Sequence, residues 1–478
     1  MNYSNLKTNK TLLAIIFSFI FTMFFLSFEC NLFGGGGSGG IFIPPFGGDS
    51  GGGPSLSNPA LSIDNTKRFY SSIFDGNYYY LLGKYDAATA SKLIIHRISS
   101  NFSSIFSTSF AFTLSGNEQP VFPTNILDNS SELIISSYIL NGNVGTQYDS
   151  AILKINKSFL SLQQHLFFPN TMFPRIIFDN PNFYLSLKAD ASSSQGYLLV
   201  LDNNFNILSQ YQTDPTSSGF PDAIFLYSST LTNLSGTLVN ANSSGTILNT
   251  GVFIISKSNL TSATKIPTNY IPLTTEYLTD QSPLITSESG NDYLYFADGI
   301  NFHSIYINKI SIPPGLIASK QISLSSSSIH NINISKINNQ IVVGISKTES
   351  SINKLLFIIF DTNLNHVRSF ELDTNNNQLF MYEYQKYFET PDNGFILTGN
   401  INPSLNKIFF LKFNNLFDLT ENNIFNVFNN PTTVNITSSS YTLPTIDTIT
   451  LSPSFLTPST TLYTVQSSPW TSNLSTNP

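Results

Sequence analysis

Few residues in this chain are of types and spacings suited to chemistry. The densest group lies in FMYEYQKYFETPD (380–392), where Tyr382, Tyr384, Tyr387 and Phe388 stand beside Glu383, Glu389 and Asp392. Aromatic faces next to carboxylates suit the stacking and hydrogen bonding of a sugar or a peptide. Tyr382, Glu383, Tyr384 and Tyr387 are therefore the candidate ligand patch. The same alternation places Phe380, Tyr382 and Tyr384 on one side of a strand, as an outer strand of a sheet would show, so packing is the simpler use. Hydrolysis by a carboxylate pair needs two Asp or Glu side chains a few ångströms apart, and no local pair stands out. His96, His165, His303, His330 and His366 are far apart and read as structural. The turns at 361–363 and 373–375 lack the spaced carboxylates and terminal Glu of a calcium loop and read as hairpin turns. Gly34 to Gly39 spells GxGxxG and Gly36 to Gly40 spells GxSxG. Neither follows a strand or opens a helix, as both mechanisms require. No catalytic residue, metal or cofactor is expected.

Composition narrows the classes further. Of 478 residues only 11% are charged while 41% are hydrophobic, with 41 Phe and 22 Tyr. That is ample apolar surface for a packed body. A net charge of −7 with 22 Lys+Arg gives no electrostatic basis for an extended nucleic-acid surface. The one cysteine, Cys30, excludes an internal disulfide framework and a thiolate metal cluster.

The first sixty residues read as export followed by a tether. Lys7 and Lys10 precede an apolar run at 12–28, the order of an export signal over 1–29. As a helix the run measures about 25 Å, short of the ~30 Å hydrocarbon core. Residues 30–60 are rich in Gly and Pro and form no packed element, so they read as a flexible linker. Cys30, two residues beyond the apolar run, resembles the modified cysteine of bacterial lipoproteins of the spirochaete type. Leu26 stands one place early for the usual lipobox, and Glu29 replaces a small residue. The resemblance implies lipid attachment at Cys30, the membrane as a partner, and a place in the cell envelope or on the outer-membrane surface.

The body, 61–478, repeats loosely. An apolar run, a short Asn/Asp/Ser/Lys turn and then Phe or Leu recur at 92–102, 151–159, 197–205, 252–260, 304–316, 355–364 and 408–416. Each is preceded by another apolar run, at 78–83, 132–140, 182–187, 222–228, 292–297, 340–346 and 394–399. Runs of Ile, Leu, Val, Phe and Tyr bounded by Asn, Asp and Gly are strands, and their continuity suggests burial on both faces. Units of roughly fifty residues match four-stranded blades. The fold class expected is all-β, a β-propeller of seven blades, with six or eight also compatible. The pattern is similar to bacterial lipoprotein propellers with weak repeats, a resemblance of architecture that brings no functional residues with it. From 431 onward the chain is rich in Ser, Thr and Pro; 445–451 or 461–466 is expected to join the first blade and close the ring.

These features favour an exported, membrane-anchored, non-enzymatic lipoprotein that binds an unidentified protein or glycan or serves as a scaffold. The alternative is a propeller enzyme, a glycosidase or lyase acting on glycans.

Overall fold

The computed structural model describes residues 61–475 apart from 64–67, 87–90, 142–146, 190–194, 216–220, 242–246, 270–281, 302, 326, 351, 374–385, 390–394, 402–406, 415–425, 430 and 432–433. The export segment, the tether with Cys30, and Tyr382, Glu383 and Tyr384 lie outside the described residues. All described residues belong to the unit Ser57–Pro478, and every regular element among them is a strand. With the tail strands from 426 onward and the short Asn117–Glu118 set aside, the described strands fall into seven antiparallel sets of four, here called sheets 1 to 7: 68–114, 121–168, 171–213, 222–268, 284–324, 327–373, and 386–413 completed by Leu61–Ile63.

Alternate residues of the apolar runs serve two different neighbours. Leu133 and Ile135 of sheet 2 pack with Leu82, Leu93 and Phe110 of sheet 1. Ile134, between them, packs with Ile176 and Leu185 of sheet 3. Further clusters join sheets 3 and 4, 4 and 5, 5 and 6, and 6 and 7. The last packs Ile63 and Ile396 of sheet 7 against Phe69 and Leu81 of sheet 1, closing the cycle. The first strand of every sheet also touches the first strand of the next, all the way round. The first strands are therefore innermost and the fold is a β-propeller. A residue such as Ile134, fully buried between sheets, contributes on the order of 1.5–3 kcal/mol by leaving water. Small polar groups link successive sheets near the axis. Ser72 Oγ lies 3.2 Å from Thr398 Oγ1, Ser71 Oγ donates to Asn125 Oδ1 at 3.2 Å, and Asn125 Nδ2 donates to the Ile176 carbonyl at 3.0 Å.

In four sheets an apolar residue at or next to the end of the repeat has a specific task; in sheet 2 it is Leu160, one place beyond the Phe159 that ends the repeat in the sequence. Phe102, Leu160, Phe205 and Leu364 sit in the turn after the third strand with φ of 58°, 49°, 61° and 61°. Left-handed backbone costs about 1–2 kcal/mol for such residues. Burial of Leu160, Phe205 and Leu364 in the inter-sheet clusters offsets it. At Asp202 and Asp361 the turn is held by the carboxylate, which accepts the N–H groups two and four residues on, each at 2.8–2.9 Å. Asp361 thus serves a hairpin turn, as its sequence suggests.

Two expectations differ from the structure. The run at 222–228 is the first strand of sheet 4 (Asp222–Ser229), not the partner of the repeat at 252–260. That partner is Asn233–Ala241, a polar strand containing Gly236. A Cβ at Gly236 would lie 1.9 Å from the Phe225 carbonyl oxygen, so close strand approach replaced hydrophobicity there. Of the candidate patch, Tyr387 lies on Lys386–Glu389, paired with Leu397 at the inner edge of sheet 7. Ring closure comes from the other end of the body. Leu61–Ile63 is the fourth strand of sheet 7, paired with Ile408 to Phe410, while Thr464–Pro469 joins sheet 1 as a fifth, outer strand.

The tail encircles the ring against chain order. Asn426–Asn429 pairs with sheet 6 and Val434–Ser438 with sheet 5. Asp447–Pro453 lies between the outer strands of sheets 4 and 3 and pairs with both. Ser459 bridges to Phe167 of sheet 2, Thr464–Pro469 follows on sheet 1, and Leu474–Ser475 pairs with Leu61–Ile63. Two tyrosines pin it: Tyr441 donates to Asp298 Oδ2 at 2.7 Å and Tyr463 to Asp149 Oδ2 at 2.6 Å. Burial raises the Asp298 carboxyl above its ordinary range despite the donors around it.

Candidate functional site

The described turns joining strand 1 to 2 and strand 3 to 4 lie at one end of the ring, the lower face; the opposite ends of the same strands define the upper face. At the seam of sheets 2 and 3 the lower face opens into a cleft of about 370 Å³. The first turn of sheet 2 contributes Asn129, Ser130, Ser131 and Glu132, and its third strand contributes Lys154. The turns of sheet 3 contribute Phe178, Asn180, Asn203 and Asn204.

Glu132 is the carboxylate of this cleft. Its backbone N–H donates to Asn129 Oδ1 at 2.9 Å, and its Oε2 accepts Asn129 Nδ2 at 3.1 Å. Lys154 Nζ lies 3.3 Å from the same Oε2. The ammonium also donates to the Asn203 carbonyl and sits 5.1 Å from the centre of the buried Phe205 ring. One lysine thus ties the two walls together and fixes the carboxylate. An amide-lined pocket of this size with one carboxylate, one ammonium and an aromatic edge can hydrogen-bond a polyhydroxylated ligand through donors and acceptors together.

Four other seams of the lower face are clasped by polar side chains. Lys157 bonds Asp75 across sheets 1 and 2 at 3.3 Å. Lys257 pairs with Asp179 across sheets 3 and 4, and Lys309 donates to the Thr362 carbonyl of sheet 6 at 2.8 Å. Asp292 of sheet 5 accepts from Thr230, Thr232 and Asn233 of sheet 4, the last two at 2.7 and 2.8 Å, and from Ser287. Burial pushes the Asp292 carboxyl up, but these donors outweigh it and hold it down at about 2. The unfolded value is ~3.9, so the unfolded chain binds more protons between about pH 4 and 2. Stability from Asp292 is therefore fully present above pH ~4 and is lost as the pH falls towards 2. The group is part-exposed, and after solvent screening the effect is about 1 kcal/mol. Urea midpoints at pH 5, 3.5 and 2.5 should fall less steeply in Asp292→Asn than in the wild type.

Of the residues singled out in the sequence, Tyr387 is on sheet 7, away from the strands and turns that line the cleft. Tyr382, Glu383 and Tyr384 lie outside the described residues. His96 Nδ1 lies 2.8 Å from Ser107 Oγ, and His165 Nε2 lies 2.8 Å from the Thr460 carbonyl. The cleft was missed because its walls come from three separate Asn/Asp turns. Each reads as an ordinary hairpin, and the only signal was their succession in neighbouring repeats.

No family model matches the chain, and no curated protein matches it. Among solved structures, the chain is similar to the N10 neuraminidase-like protein of influenza A from a little yellow-shouldered bat. The identity is 10%, covering 61% of this chain and 91% of that one, with a TM-score of 0.35. A GH43_1 enzyme from Xanthomonas citri gives 10% identity, 65% and 94% coverage and a TM-score of 0.30. An ACO/RPE65 chimera gives 11%, 82% and 91%, and 0.36. Likeness at these scores assigns no substrate or residue to this chain. The expectation of a non-enzymatic protein does not stand beside this comparison: three of the similar solved structures are GH43 proteins by title.

Proposed function

We propose that this propeller acts on glycans, with the cleft between sheets 2 and 3 as its sugar-binding site. The observation that supports this reading is the cleft itself: four asparagines, two serines and Glu132 around about 370 Å³, with Phe178 at the wall. Sugar hydroxyls both donate and accept, and side-chain amides answer both needs, while the apolar ring face of a sugar packs on an aromatic. Glu132, pinned through Oε2, would meet a hydroxyl or glycosidic oxygen through Oε1. The export segment and a lipid on Cys30 belong to the same proposal and would place this activity in the cell envelope.

Incubation with a panel of neutral and acidic oligosaccharides tests the reading. New reducing ends, or unsaturated ends from a lyase, should appear with the wild type. Glu132→Gln should lower turnover about a hundredfold or more, the scale of losing a positioned acid or base, with the fold retained by circular dichroism. No turnover and no saturable binding across the panel would remove it.

A further inference from the structure

Ten large apolar side chains are exposed among the described residues. Ile446 and Phe455 belong to the tail; the other eight all lie at the lower face. Four of them hold the same place, the second residue of the fourth strand: Phe106, Leu208, Leu316 and Val367 in sheets 1, 3, 5 and 6. They are 37–56% exposed. Two more cap turns, Phe159 of sheet 2 at 74% and Leu231 of sheet 4 at 88%. Six of the seven sheets thus present an apolar residue at one end of the ring, although the clusters between sheets are complete without them.

The seventh sheet adds a second observation. Leu61–Ile63 runs antiparallel to Lys407–Phe413, a third strand, and so starts at the lower face. The described chain therefore begins at the face that carries the exposed tips. Charge adds a third. Lysines of this face are paired with carboxylates: Lys154 with Glu132, Lys157 with Asp75 and Asp128, Lys257 with Asp179 and Lys309 with Glu288. Arg97 lies 5.0 Å from the Tyr78 ring and 5.3 Å from the Phe106 ring, a guanidinium with aromatics that suits the depth of lipid headgroups.

We propose that the lower face docks on the surface of a lipid bilayer, with its apolar tips entering the headgroup and acyl boundary. Interfacial apolar groups enter such a surface by about 5–10 Å, and apolar burial alone drives it when net charge is small. A flat occupant explains why the tips ring the face instead of forming one patch. The Gly/Pro linker only limits how far the body can stray; the tips select which face turns to the lipid. The cleft opens on this same face, so on the glycan reading above its sugar would be lipid-linked. That clause rests on the glycan reading, while the docking does not.

Depth-dependent quenching tests the docking on the full chain bound to phosphatidylcholine vesicles. Phe159→Trp, Leu231→Trp and, as an upper-face control, Glu118→Trp are each compared with the wild type, whose one tryptophan is Trp470. Lipids brominated on their acyl chains should remove at least half of the added emission at positions 159 and 231, in low and high salt alike, and leave position 118 unchanged. Equal weak quenching at all three positions would overturn the proposal, as would a chain that does not float with the vesicles. A blue shift at 159 and 231 without bromolipid quenching would show a second copy on this face, and would overturn it as well.

Discussion

A chain ending at Phe425 should fail to give a soluble ring. The segment from 426 onward covers the outer edges of sheets 1, 3, 4, 5 and 6 by strand pairing and reaches sheet 2 through Ser459. Its removal leaves rows of unpaired N–H and C=O groups, the template for edge-to-edge aggregation. It also takes away Ile449, Leu451 and Tyr463, each at most 3% exposed, and uncovers the apolar surface they pack on. At ~1.5–3 kcal/mol each, those three represent about 5–9 kcal/mol, comparable with the ~5–15 kcal/mol that holds a typical protein folded. A shorter cut after Ser459 keeps the cover on sheets 3 to 6 and should give soluble protein with a lower melting temperature. It removes the strand on sheet 1, the Tyr463–Asp149 bond and the short pairing of Leu474–Ser475 with Leu61–Ile63. Solubility and calorimetry of the two truncations check this. A soluble, cooperatively melting chain ending at Phe425 would make the tail a mere appendage.

Lys347→Met should cost about 3–5 kcal/mol, the usual penalty for stranding a buried charge. Lys347 is fully buried near the upper end of sheet 6, with Nζ 2.6 Å from Glu371 Oε2 and 3.3 Å from Glu349 Oε2. Lys354 reaches the same two carboxylates, at 3.0 Å and 3.1 Å. Two ammonium groups thus balance two carboxylates across three strands, and Glu371 is itself only 3% exposed. Removing Lys347 leaves two carboxylates on the single, less buried Lys354. Removing Glu371 as well restores the balance, so Lys347→Met with Glu371→Met should be more stable than Lys347→Met alone. Urea denaturation of the two single variants, the double variant and the wild type measures this. A single-variant cost below about 1 kcal/mol would show that water already reaches the site.

How closely residue pattern and fold correspond differs from place to place. The runs ELIISSYIL and AILKINKSF are apolar throughout because each strand is covered on both faces, Ile134 towards sheet 3 and Leu133 and Ile135 towards sheet 1. Burial of that kind leaves a mark that any strand carries by itself. Sheet 4 broke the pattern, since Asn233–Ala241 is chosen for closeness to Phe225 at Gly236, not for apolar bulk. The Phe or Leu closing the repeats was visible as a pattern, but the left-handed backbone at Phe102, Phe205 and Leu364 was not, and in sheet 2 the plug is Leu160 while the patterned Phe159 is exposed. The candidate site was less legible still. The clustered aromatics and carboxylates at 380–392 drew attention because they are neighbours in the chain, whereas the cleft joins Glu132 to Asn203 and Asn204 from the following sheet.

The order of residues was enough to establish an all-β, repetitive body preceded in the sequence by an apolar run and a glycine-rich stretch, because composition and short-range pattern are properties of single strands and turns. Only the folded arrangement settled that Leu61–Ile63 completes the last sheet and that the tail runs backward around the others. It also settled that eight exposed apolar side chains share one end and that Lys154 of one sheet reaches Asn203 of the next. Those are relations between residues tens to hundreds of positions apart. They are set by how seven sheets pack into a cycle, and no local pattern carries them.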